Sequence, residues 1–426
     1  MLDIKLIRKD KNAVEAKLKT KDPEISLSPI LVLDERMRTI KGSVEELKAT
    51  RNSLSKEIGD KKRLKEDTTS LMQEVAGLGD QITLLDKELI DVEQELHMNL
   101  ASMPNIPMDD IKVGLDPKDN VCIKTVGKKP EFTFAPKNHV ELNEKLDLFD
   151  FQRGAKIAGS GWPTYKGLGA RLEWALINYM IDTHVANGFE MWMVPHLVKP
   201  EMMFGSGQLP KFEKQLFKIH DDDYELFLIP TSEVALNGLH YDEIFKEEDL
   251  PKRYFCYSPC FRREGGAAGS QERGLIRVHQ FNKVEMFCFT TPDQSQIVFE
   301  QMQSSAEAIL QGLGLHYRSM LLVTGDMSFA AAKTVDVEAW LPGQNRYYEV
   351  SSVSNCSDFQ ARRSQIRFRK KDEKPELIHT LNGSGLATSR LMVSLLETNQ
   401  QEDGSVLLPE VLHKYMNGIK SLQPGR

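Results

Sequence analysis

The chain has 426 residues, of which 40% are hydrophobic and 27% are charged. Such values are typical of a soluble globular protein that is long enough for two or more domains. The formal net charge of −7 argues against nucleic-acid binding over the whole surface, so any RNA contact would depend on a local basic patch. No apolar run approaches membrane-spanning length, and acidic residues appear too early for a signal or transit peptide. We therefore expect a cytoplasmic protein with no membrane partner.

Five cysteines are present, at positions 122, 256, 260, 288 and 356. They form no C-x-x-C pair and are too few for a disulfide scaffold. The spacing of Cys256 and Cys260 permits metal binding without indicating it. We predict buried, reduced thiols and no structural zinc.

Two series of apolar residues, spaced by three and four positions, run through residues 30–58 and 71–96. This spacing is typical of the heptad seams of coiled coils. The polar segment between the two series, residues 59–67, would let the chain reverse its direction. The pattern predicts an antiparallel coiled coil of two helices of roughly 30 residues, about 45 Å long.

Charge is unevenly distributed along this predicted coiled coil. Residues 51–65 contain six lysines or arginines and two acids, whereas residues 71–100 contain seven acids and one lysine. The basic part lies at the distal tip, where it would suit contact with an RNA backbone. A coiled coil that serves only for dimerisation, with its charges solvated, also fits the periodicity.

Residues 101–140 contain five of the nineteen prolines and lose the helical periodicity, which indicates a domain boundary. We predict an N-terminal helical arm over residues 1–103, a linker over residues 104–137 and a larger domain over residues 138–426. In the larger domain, residues 167–187 are predicted to form a helix and residues 189–195 a strand.

Further strands are predicted at 214–219, 224–229, 253–257, 277–289, 318–323, 335–341 and 346–353, with helices near 296–313 and 386–399. Strands this dense, without the regularity of βαβ units, predict an α+β fold with an antiparallel sheet. The chain has neither a G-x-G-x-x-G fingerprint nor a G-x-x-x-x-G-K-[ST] loop. A nucleotide would therefore bind on the sheet and not in a Rossmann or P-loop cradle.

Residues 261–289 are predicted to form two charged strands joined by a loop with glycines at positions 265, 266, 269 and 274. Strand alternation places Arg262 and Glu264 on one face of the first strand, and aligns Phe281, Lys283 and Glu285 on the second. A guanidinium matches phosphate geometry, a carboxylate can bind an amine, and a phenyl ring can stack on a purine. The set favours a nucleotide-binding cleft, although a solvated polar hairpin would explain each residue singly.

The stretch Phe261–Glu264, the loop and the strand through Glu285 resemble motif 2 of the class II aminoacyl-tRNA synthetases. The run from Arg273 to Glu285, RGLIRVHQFNKVE, is similar to that of the seryl-tRNA synthetases. The helix and strand over residues 167–195 resemble motif 1, which builds the dimer interface of class II synthetases, and residues 377–397 resemble motif 3. The resemblance extends over nearly the whole chain, including the arm, and implies the class II catalytic fold for residues 138–426.

The resemblance implies an ATP site in which Arg262, Glu349 and Arg390 have catalytic roles. Arg262 would bind the α-phosphate and Arg390 the terminal phosphate, while Glu349 and Ser352 would hold Mg²⁺. Strict strand alternation would pair Glu349 with Ser351, so Ser352 requires a bulge or a strand end. The implied ATP-binding residues are Arg262, Arg263, Glu264, Val278, Phe281, Glu349, Val350, Ser351, Ser352 and Arg390.

Residues 377–397 are predicted to form a strand, a tight turn at residues 383–385 and a helix with Arg390 in its first turns. Helix-start amides and an arginine suit an anion, although a packing turn with a surface arginine is commoner for this pattern alone. The family usually has glycine before this arginine, whereas this chain has Ser389. Because a helix tolerates serine, we expect activity to persist.

The triplet Thr231-Ser232-Glu233 follows Pro230 and resembles the serine-binding loop of the family, although such a triplet alone also fits a helix cap. A small pocket of carboxylates and hydroxyls would bind the ammonium and the hydroxyl of serine. It would reject alanine, which would leave buried polar groups unpaired. The implied serine-binding residues are Thr231, Ser232, Glu233, Arg262, Glu285 and Ser384.

The resemblance implies a homodimeric enzyme that uses ATP to convert L-serine to seryl-adenylate and then transfers the seryl group to the 3′ end of tRNA(Ser). Serine charging of tRNA(Sec) is an implied second activity. The arm would grip the tRNA, and its candidate contacts are Arg51, Lys56, Lys61, Lys62, Arg63 and Lys65. Three other interpretations stay open: a class II synthetase for threonine or proline, an amino acid:carrier-protein ligase, and a non-catalytic coiled-coil scaffold.

Overall fold

The computed structural model describes residues 1–264 and 274–425. These residues form two compact units, Met1–Pro104 and a second unit that begins at Asn105. The predicted loop glycines at positions 265, 266 and 269 lie outside the described residues, whereas Gly274 lies inside them with a φ of 73°. Among the described helices, none is long and apolar enough to cross a membrane.

The first unit contains two short helices followed by two long ones: α1 (Ile4–Lys9), α2 (Lys11–Lys19), α3 (Ser28–Arg63) and α4 (Thr69–Ala101). The two long helices pack against each other. Apolar residues of the predicted heptad seams, including Val44 on α3 and both Ile82 and Val92 on α4, are buried. Burial of these two stripes stabilises the pair of helices, because neither could cover its apolar face alone.

Ion pairs between α3 and α4 reveal the relative direction of the two helices. Lys41 pairs with Glu93 at 2.7 Å and Lys48 pairs with Asp86 at 3.3 Å, so the helices are antiparallel. The predicted coiled coil is therefore confirmed. Its turn is shorter than predicted, because α3 continues through residues 59–63, where three basic residues in the last turn interact favourably with the helix dipole.

The second unit combines nine described helices with sixteen described strands. Its helices are α5 (His139–Leu146), α6 (Phe151–Ala158), α7 (Gly167–Ala186), α8 (Pro200–Ser206), α9 (Glu233–Gly238), α10 (Ser295–Gly312), α11 (Phe359–Ser364), α12 (Thr388–Thr398) and α13 (Glu410–His413). Its strands are β1 (Val121–Val126), β2 (Glu190–Trp192), β3 (Leu197–Val198), β4 (Lys218–His220), β5 (Glu225–Leu228), β6 (Ile244–Lys246), β7 (Lys252–Phe261), β8 (Gln280–Thr290), β9 (Tyr317–Leu321), β10 (Lys333–Leu341), β11 (Arg346–Asn355), β12 (Arg367–Arg369), β13 (Glu376–Leu377), β14 (His379–Ala387), β15 (Val406–Leu407) and β16 (Ser421–Leu422).

Eight of these strands form one sheet in the order β1-β9-β10-β11-β14-β8-β7-β2. All neighbouring pairs are antiparallel except β2 and β7, which are parallel. Helices α7, α10 and α12 pack against the sheet and share a buried core with apolar side chains such as Val337 and Met286. This arrangement confirms the predicted α+β class with an antiparallel sheet.

Residues 104–137, predicted as a linker, contain a strand of the main sheet. β1 pairs with β9 from Val121↔Leu321 to Val126↔Tyr317 and forms one edge of the sheet. The segment predicted as a strand at residues 214–219 begins instead with a short 3₁₀ turn, followed by β4. Short strands with little burial, such as β1 and β4, carry little periodic signal, so their partners decide where they form.

The predicted tight turn at residues 383–385 is wrong, because β14 continues through these residues. Gly383 pairs with both Val353 of β11 and Met286 of β8, and the register with β8 shifts only after Ser384. A Cβ at Gly385 would lie 2.1 Å from Nε2 of the His184 ring, so close packing explains this glycine. The bulge that follows places Leu386 at a φ of 140°.

Four of the five cysteines are buried, as predicted, and Cys122 is exposed. The prediction of a buried thiol is therefore wrong for Cys122. It lies on β1, whose position at the sheet edge leaves most of its side chains in contact with solvent.

Candidate active site

A cavity of about 550 Å³ opens where the adjacent strands β11, β14 and β8 run side by side. The residues that follow β7 and the first turns of α9 and α12 complete its wall. Nine predicted site residues line it: Thr231, Glu233, Arg262, Glu264, Glu285, Glu349, Ser352, Ser384 and Arg390. A narrower adjoining hollow shares several of these residues and adds Val278, Phe281 and Val350. Most of the predicted ATP-binding and serine-binding residues therefore meet around this cavity and the adjoining hollow.

Three residues that the sequence predicts as ligand contacts do not line the cavity. Arg263 is exposed, and its backbone amide donates to Gln215 O at 3.1 Å. Ser351 is buried between strands, with its hydroxyl donating to Ser384 O at 2.6 Å. Ser232 is fully buried in the position before α9. None of the three is among the residues that line the cavity or the adjoining hollow.

Arg262 lies one residue beyond the end of β7, not on the strand as predicted. Its backbone amide donates to His279 O at 2.9 Å, which extends the pairing of the two chain segments. Its Nε donates to Pro230 O at 3.3 Å, and its guanidinium carbon lies 5.1 Å from the centroid of the Phe281 ring. A carbonyl and a ring thus hold the guanidinium at the cavity wall, where it can bind an anion.

Glu264 reaches the cavity by a different route from the predicted strand alternation. Its φ of 42° places it in the left-handed region, which ends the extended backbone. Its carboxylate accepts a hydrogen bond at 3.0 Å from Nη1 of Arg277, which also lines the cavity. Sequence reasoning did not select Arg277, although this arginine lies within the RGLIRVHQFNKVE run.

Arg390 is the third residue of α12 and is held by several oxygens and a ring. Its Nη1 donates to the backbone O of Glu349 at 3.0 Å and to Oε2 of the same residue at 3.2 Å, and its Nε donates to Ile276 O at 3.3 Å. Its guanidinium carbon lies 4.8 Å from the ring centroid of Tyr348. Ser389, the residue before this arginine, is 3% exposed and lines the adjoining hollow.

Glu349 and Ser352 both reach the cavity because β11 carries a bulge. The register between β10 and β11 shifts at Val350, which is left without a partner on β10. Residues separated by three positions can then lie on one face of the strand, which strict alternation forbids. The bulge that the sequence requires for this pair is therefore present.

Oxygen donors of this region fit a hard divalent cation. Glu349 supplies a carboxylate and Ser352 a hydroxyl, while Asp336 faces Ser352 from β10. Asp336 Oδ1 is buried without a hydrogen-bond partner among the described residues, and burial, together with the nearby Glu349 carboxylate, raises the pKa of Asp336 well above its usual range. No cluster of three or more acidic, histidine or cysteine side chains in the described part of the chain has metal-binding geometry. A cation here would therefore depend on oxygens from a bound phosphate or water.

Glu233 and Glu285 place two carboxylates near each other on one side of the cavity. Gln360 Nε2 donates to Glu233 at 2.6 Å, and Asn382 Nδ2 donates to it at 3.2 Å. Burial first, and the Glu285 carboxylate second, raise the pKa of Glu233 to about 7. Glu285 on β8 is the direct cross-strand partner of Ser384 on β14. Carboxylates beside a hydroxyl form a site for a small amine with a polar side chain.

Lys283 and the segment of residues 204–212 also contribute to the cavity wall. Lys283 shares a strand face with Phe281 and Glu285, so its alternation signal is visible in the sequence although it was not selected as a site residue. The segment of residues 204–212 contributes Gln208 and Phe212. No residue pattern in this segment indicates a binding role, because only the tertiary fold brings it to the cavity wall.

Two family descriptions match the chain. Residues 216–399 match "tRNA synthetase class II core domain (G, H, P, S and T)" and residues 1–107 match "Seryl-tRNA synthetase N-terminal domain". Together with the antiparallel sheet and the arginine-lined cavity, the first match defines the protein as a class II aminoacyl-tRNA synthetase.

Whole-chain relatives narrow this class. A serine–tRNA ligase of Chlamydia pneumoniae is 52% identical over 424 residues, covering 100% of this chain and 99% of the relative. A crystal structure of seryl-tRNA synthetase from Pyrococcus horikoshii complexed with ATP is 37% identical, with a TM-score of 0.92 and coverage of 100% of both chains. The cytoplasmic serine–tRNA ligase of Naegleria fowleri in complex with AMP is 29% identical, with a TM-score of 0.89 over 100% of this chain and 99% of that one. The chain belongs to the seryl-tRNA synthetase family.

Proposed function

We propose that the protein activates L-serine with ATP and transfers the seryl group to the 3′ end of tRNA(Ser). The observation that carries this proposal is the single cavity that collects three arginines, the oxygen donors Glu349 and Ser352 of one strand, and a pocket of carboxylates and hydroxyls. These groups suit the phosphates and the amino acid, and Phe281 in the adjoining hollow suits the nucleobase. A non-catalytic scaffold would not need them in one place.

In the first step, an oxygen of the serine carboxylate attacks the α-phosphorus of ATP. The bond from that phosphorus to the bridging oxygen breaks, so that seryl-adenylate forms and pyrophosphate leaves. Arg262 binds the α-phosphate and the serine carboxylate, and it stabilises the charge that develops between them. Arg390 binds the terminal phosphate, and Phe281 stacks on adenine while the Val278 backbone contacts it. Catalysis then rests on positioning and charge neutralisation, without a covalent enzyme intermediate.

Glu349 and Ser352 are the residues that would hold Mg²⁺ beside the ATP phosphates. The cation supplies neutralisation of phosphate charge when it is bound. Two facts support this assignment: the bulge at Val350, which aligns the two side chains, and the unpartnered Oδ1 of Asp336 behind Ser352. The hydrogen bond from Arg390 to Glu349 would also hold the carboxylate close to the arginine, so that both face the phosphates.

The proposed serine-binding residues recognise the amino acid on another side of the cavity from the residues proposed to bind the phosphates. Glu233 and Glu285 bind the ammonium and the hydroxyl of serine, with Thr231 and Ser384 as hydroxyl partners. Alanine would leave these buried groups without a hydrogen bond, which is the stronger form of discrimination. In the second step, the terminal 3′ hydroxyl of tRNA attacks the carbonyl of seryl-adenylate, and AMP leaves.

ATP–pyrophosphate exchange across all twenty amino acids tests the activation step. We expect exchange with serine and a rate lower by about 100-fold or more with alanine, because the pocket is built to hydrogen-bond a hydroxyl. Threonine or proline supporting exchange as well as serine does would contradict the assignment. Transfer of labelled serine to tRNA then distinguishes the synthetase from an amino acid:carrier-protein ligase, which would activate serine but leave tRNA uncharged.

The raised pKa of Glu233 predicts a pH dependence of serine binding. The ionised carboxylate binds the ammonium, and a pKa of about 7 leaves this group mostly protonated in mild acid. The KM for serine should therefore fall roughly tenfold between about pH 6 and pH 8, as the carboxylate ionises. Exchange rates measured at varied serine concentrations across this range check the prediction. The Glu233→Gln variant should have a high KM for serine that no longer changes with pH. If the KM of this variant depended on pH as that of the wild type does, the assignment of the pH dependence to Glu233 would be wrong.

The arm, the oligomeric state and the cellular location complete the proposal. Lys56, Lys62, Arg63 and Lys65 are exposed at the tip of the helical hairpin, which supports contact with the tRNA backbone. Arg51 and Lys61 are half-buried, and Lys61 forms an ion pair with Glu57 at 2.9 Å.

Exposed apolar side chains on α7 and beside β2, such as Trp174 at 54% and Met193 at 88%, support a homodimer. The proposed location is the cytoplasm, where tRNA is charged.

A further inference from the structure

Lys283 is a buried cation in the middle of the main sheet. It lies on β8, paired with Ser258 of β7 on one side and Ala387 of β14 on the other. Its side chain is 6% exposed and lines the cavity between the positions of Phe281 and Glu285. The proposed mechanism gives it no role, yet burying an ammonium is costly unless its partners are well placed.

The ammonium of Lys283 joins two separate parts of the amino-acid pocket. Its Nζ donates to Oγ1 of Thr231 at 2.8 Å, across 52 positions of sequence, and it forms an ion pair with the Glu285 carboxylate. Thr231 Oγ1 also accepts a hydrogen bond from the backbone amide of Glu233 at 3.3 Å. One lysine therefore connects the loop before α9 to strand β8.

The Glu285 carboxylate lies in the cavity wall and is almost fully buried. Its Oε2 is the atom that forms the ion pair with the Lys283 ammonium. A buried carboxylate needs such a partner to stay ionised. Lys283 thus balances the charge of Glu285 and fixes the position of this carboxylate in the cavity wall.

Lys283 also balances the negative charge of two neighbouring carboxylates. Two carboxylates, Glu233 and Glu285, share this side of the cavity; the charge of Glu285 raises the pKa of Glu233, whereas the Lys283 ammonium lowers it. A fixed cation between the loop and the strand reduces this repulsion. Without it, Glu233 would stay protonated more of the time and would bind an ammonium less well.

We propose that Lys283 is a positioning residue for the amino-acid half of the active site. It holds the Thr231 hydroxyl and the Glu285 carboxylate at a fixed separation, so that both point at the ammonium and hydroxyl of serine. The proposal rests on the proposed function, since it assigns this lysine to the serine pocket of that reaction. It places the effect of Lys283 on serine binding and selection and not on ATP.

Lys283→Met tests the proposal by steady-state ATP–pyrophosphate exchange. We expect the KM for serine to rise about tenfold or more, with the KM for ATP changed by less than about twofold, because the contacts of Lys283 are with pocket residues. The preference for serine over alanine, measured as a ratio of kcat/KM, should fall by a similar factor. A rise in the KM for ATP with a loss of kcat at saturating serine would mean that the lysine acts on the phosphates, and it would overturn the proposal. Unchanged constants would also overturn it.

A double-mutant cycle with Thr231→Val tests whether Lys283 acts through its partner. We expect the double variant to lose little more than the worse single variant, because both changes break the same link. Fully additive losses would mean that the two residues act independently and would overturn the proposal.

Lys124→Met is a control, because Lys124 lies on β1 of the same sheet and pairs with the buried Glu307 of α10, outside the cavity. The Lys124→Met variant should have lower stability and an unchanged KM for serine.

If Lys283→Met does not fold, Lys283→Arg keeps the charge but changes the geometry. It should raise the KM for serine several-fold while leaving that for ATP unchanged, and equal changes in both constants would overturn the proposal. Absence of serine-dependent exchange in the wild-type protein would instead remove the proposed function itself.

Discussion

Arg262→Ala should abolish adenylate formation while leaving the protein folded. The guanidinium lies at the cavity wall between Pro230 O and the Phe281 ring, and in the proposed mechanism it binds the α-phosphate. Removing a group that stabilises the transition state of phosphoryl chemistry costs about a thousandfold or more in rate. Serine-dependent ATP–pyrophosphate exchange measures this loss, and circular dichroism reports whether the fold is kept.

Arg263→Ala is the matched control for this substitution. Arg263 is the adjacent residue, has the same side chain and is exposed outside the cavity. We expect its exchange rate to stay close to that of the wild type. Near-normal exchange by Arg262→Ala would contradict the role of Arg262, and an equal loss in both variants would contradict the placement of Arg263 outside the site.

Shortening the helical hairpin should separate the two steps of the reaction. Lys41–Glu93 and Lys48–Asp86 mark where the antiparallel helices face each other, so removal of residues 45–89 and closure by a short glycine linker keeps the base paired. The deleted segment contains the basic tip and none of the predicted ATP-binding or serine-binding residues. Serine-dependent exchange should stay near the wild-type rate, while kcat/KM for tRNA charging should fall by about 100-fold or more as phosphate contacts are lost.

A variant that changes only charge tests whether the tip itself contacts RNA. Replacing the exposed Lys56, Lys62, Arg63 and Lys65 by serine keeps the length of the hairpin. We expect weaker tRNA binding with a shallower dependence on salt concentration. The variant would make fewer phosphate contacts, so its binding would release fewer counterions from the RNA. Unimpaired charging by the shortened protein would show that the hairpin does not serve RNA binding.

The long elements of the fold were predictable because their apolar patterns repeat over several turns. The predicted helices at residues 167–187 and 296–313 correspond to Gly167–Ala186 and Ser295–Gly312. The strand predicted at residues 346–353 corresponds to Arg346–Asn355. β1 was missed because a short, exposed strand has no apolar alternation of its own, and only the neighbouring strand β9 gives it a partner. Periodicity reports burial, so elements with little burial give little signal.

The site was predictable to the extent that its residues lie in the recognisable motifs. The pair Glu349 and Ser352 required a bulge, and the structure contains it at Val350. The turn expected at residues 383–385 was wrong, since glycine is needed there for close packing against His184 and not for a turn. Gln360 and Asn382, which hold Glu233, come from distant parts of the chain and gave no signal.

The sequence by itself determined the antiparallel coiled coil, the α+β class and the segments that carry the chemistry. It could do so because heptad spacing, strand alternation and the charged motifs are local properties of the chain. The tertiary structure alone decided which side chains share the cavity, such as the link from Lys283 to Thr231 across 52 positions. It also excluded Arg263, Ser232 and Ser351 from the cavity wall. Contacts between distant segments follow from strand register and packing, which depend on the whole fold and not on neighbouring residues.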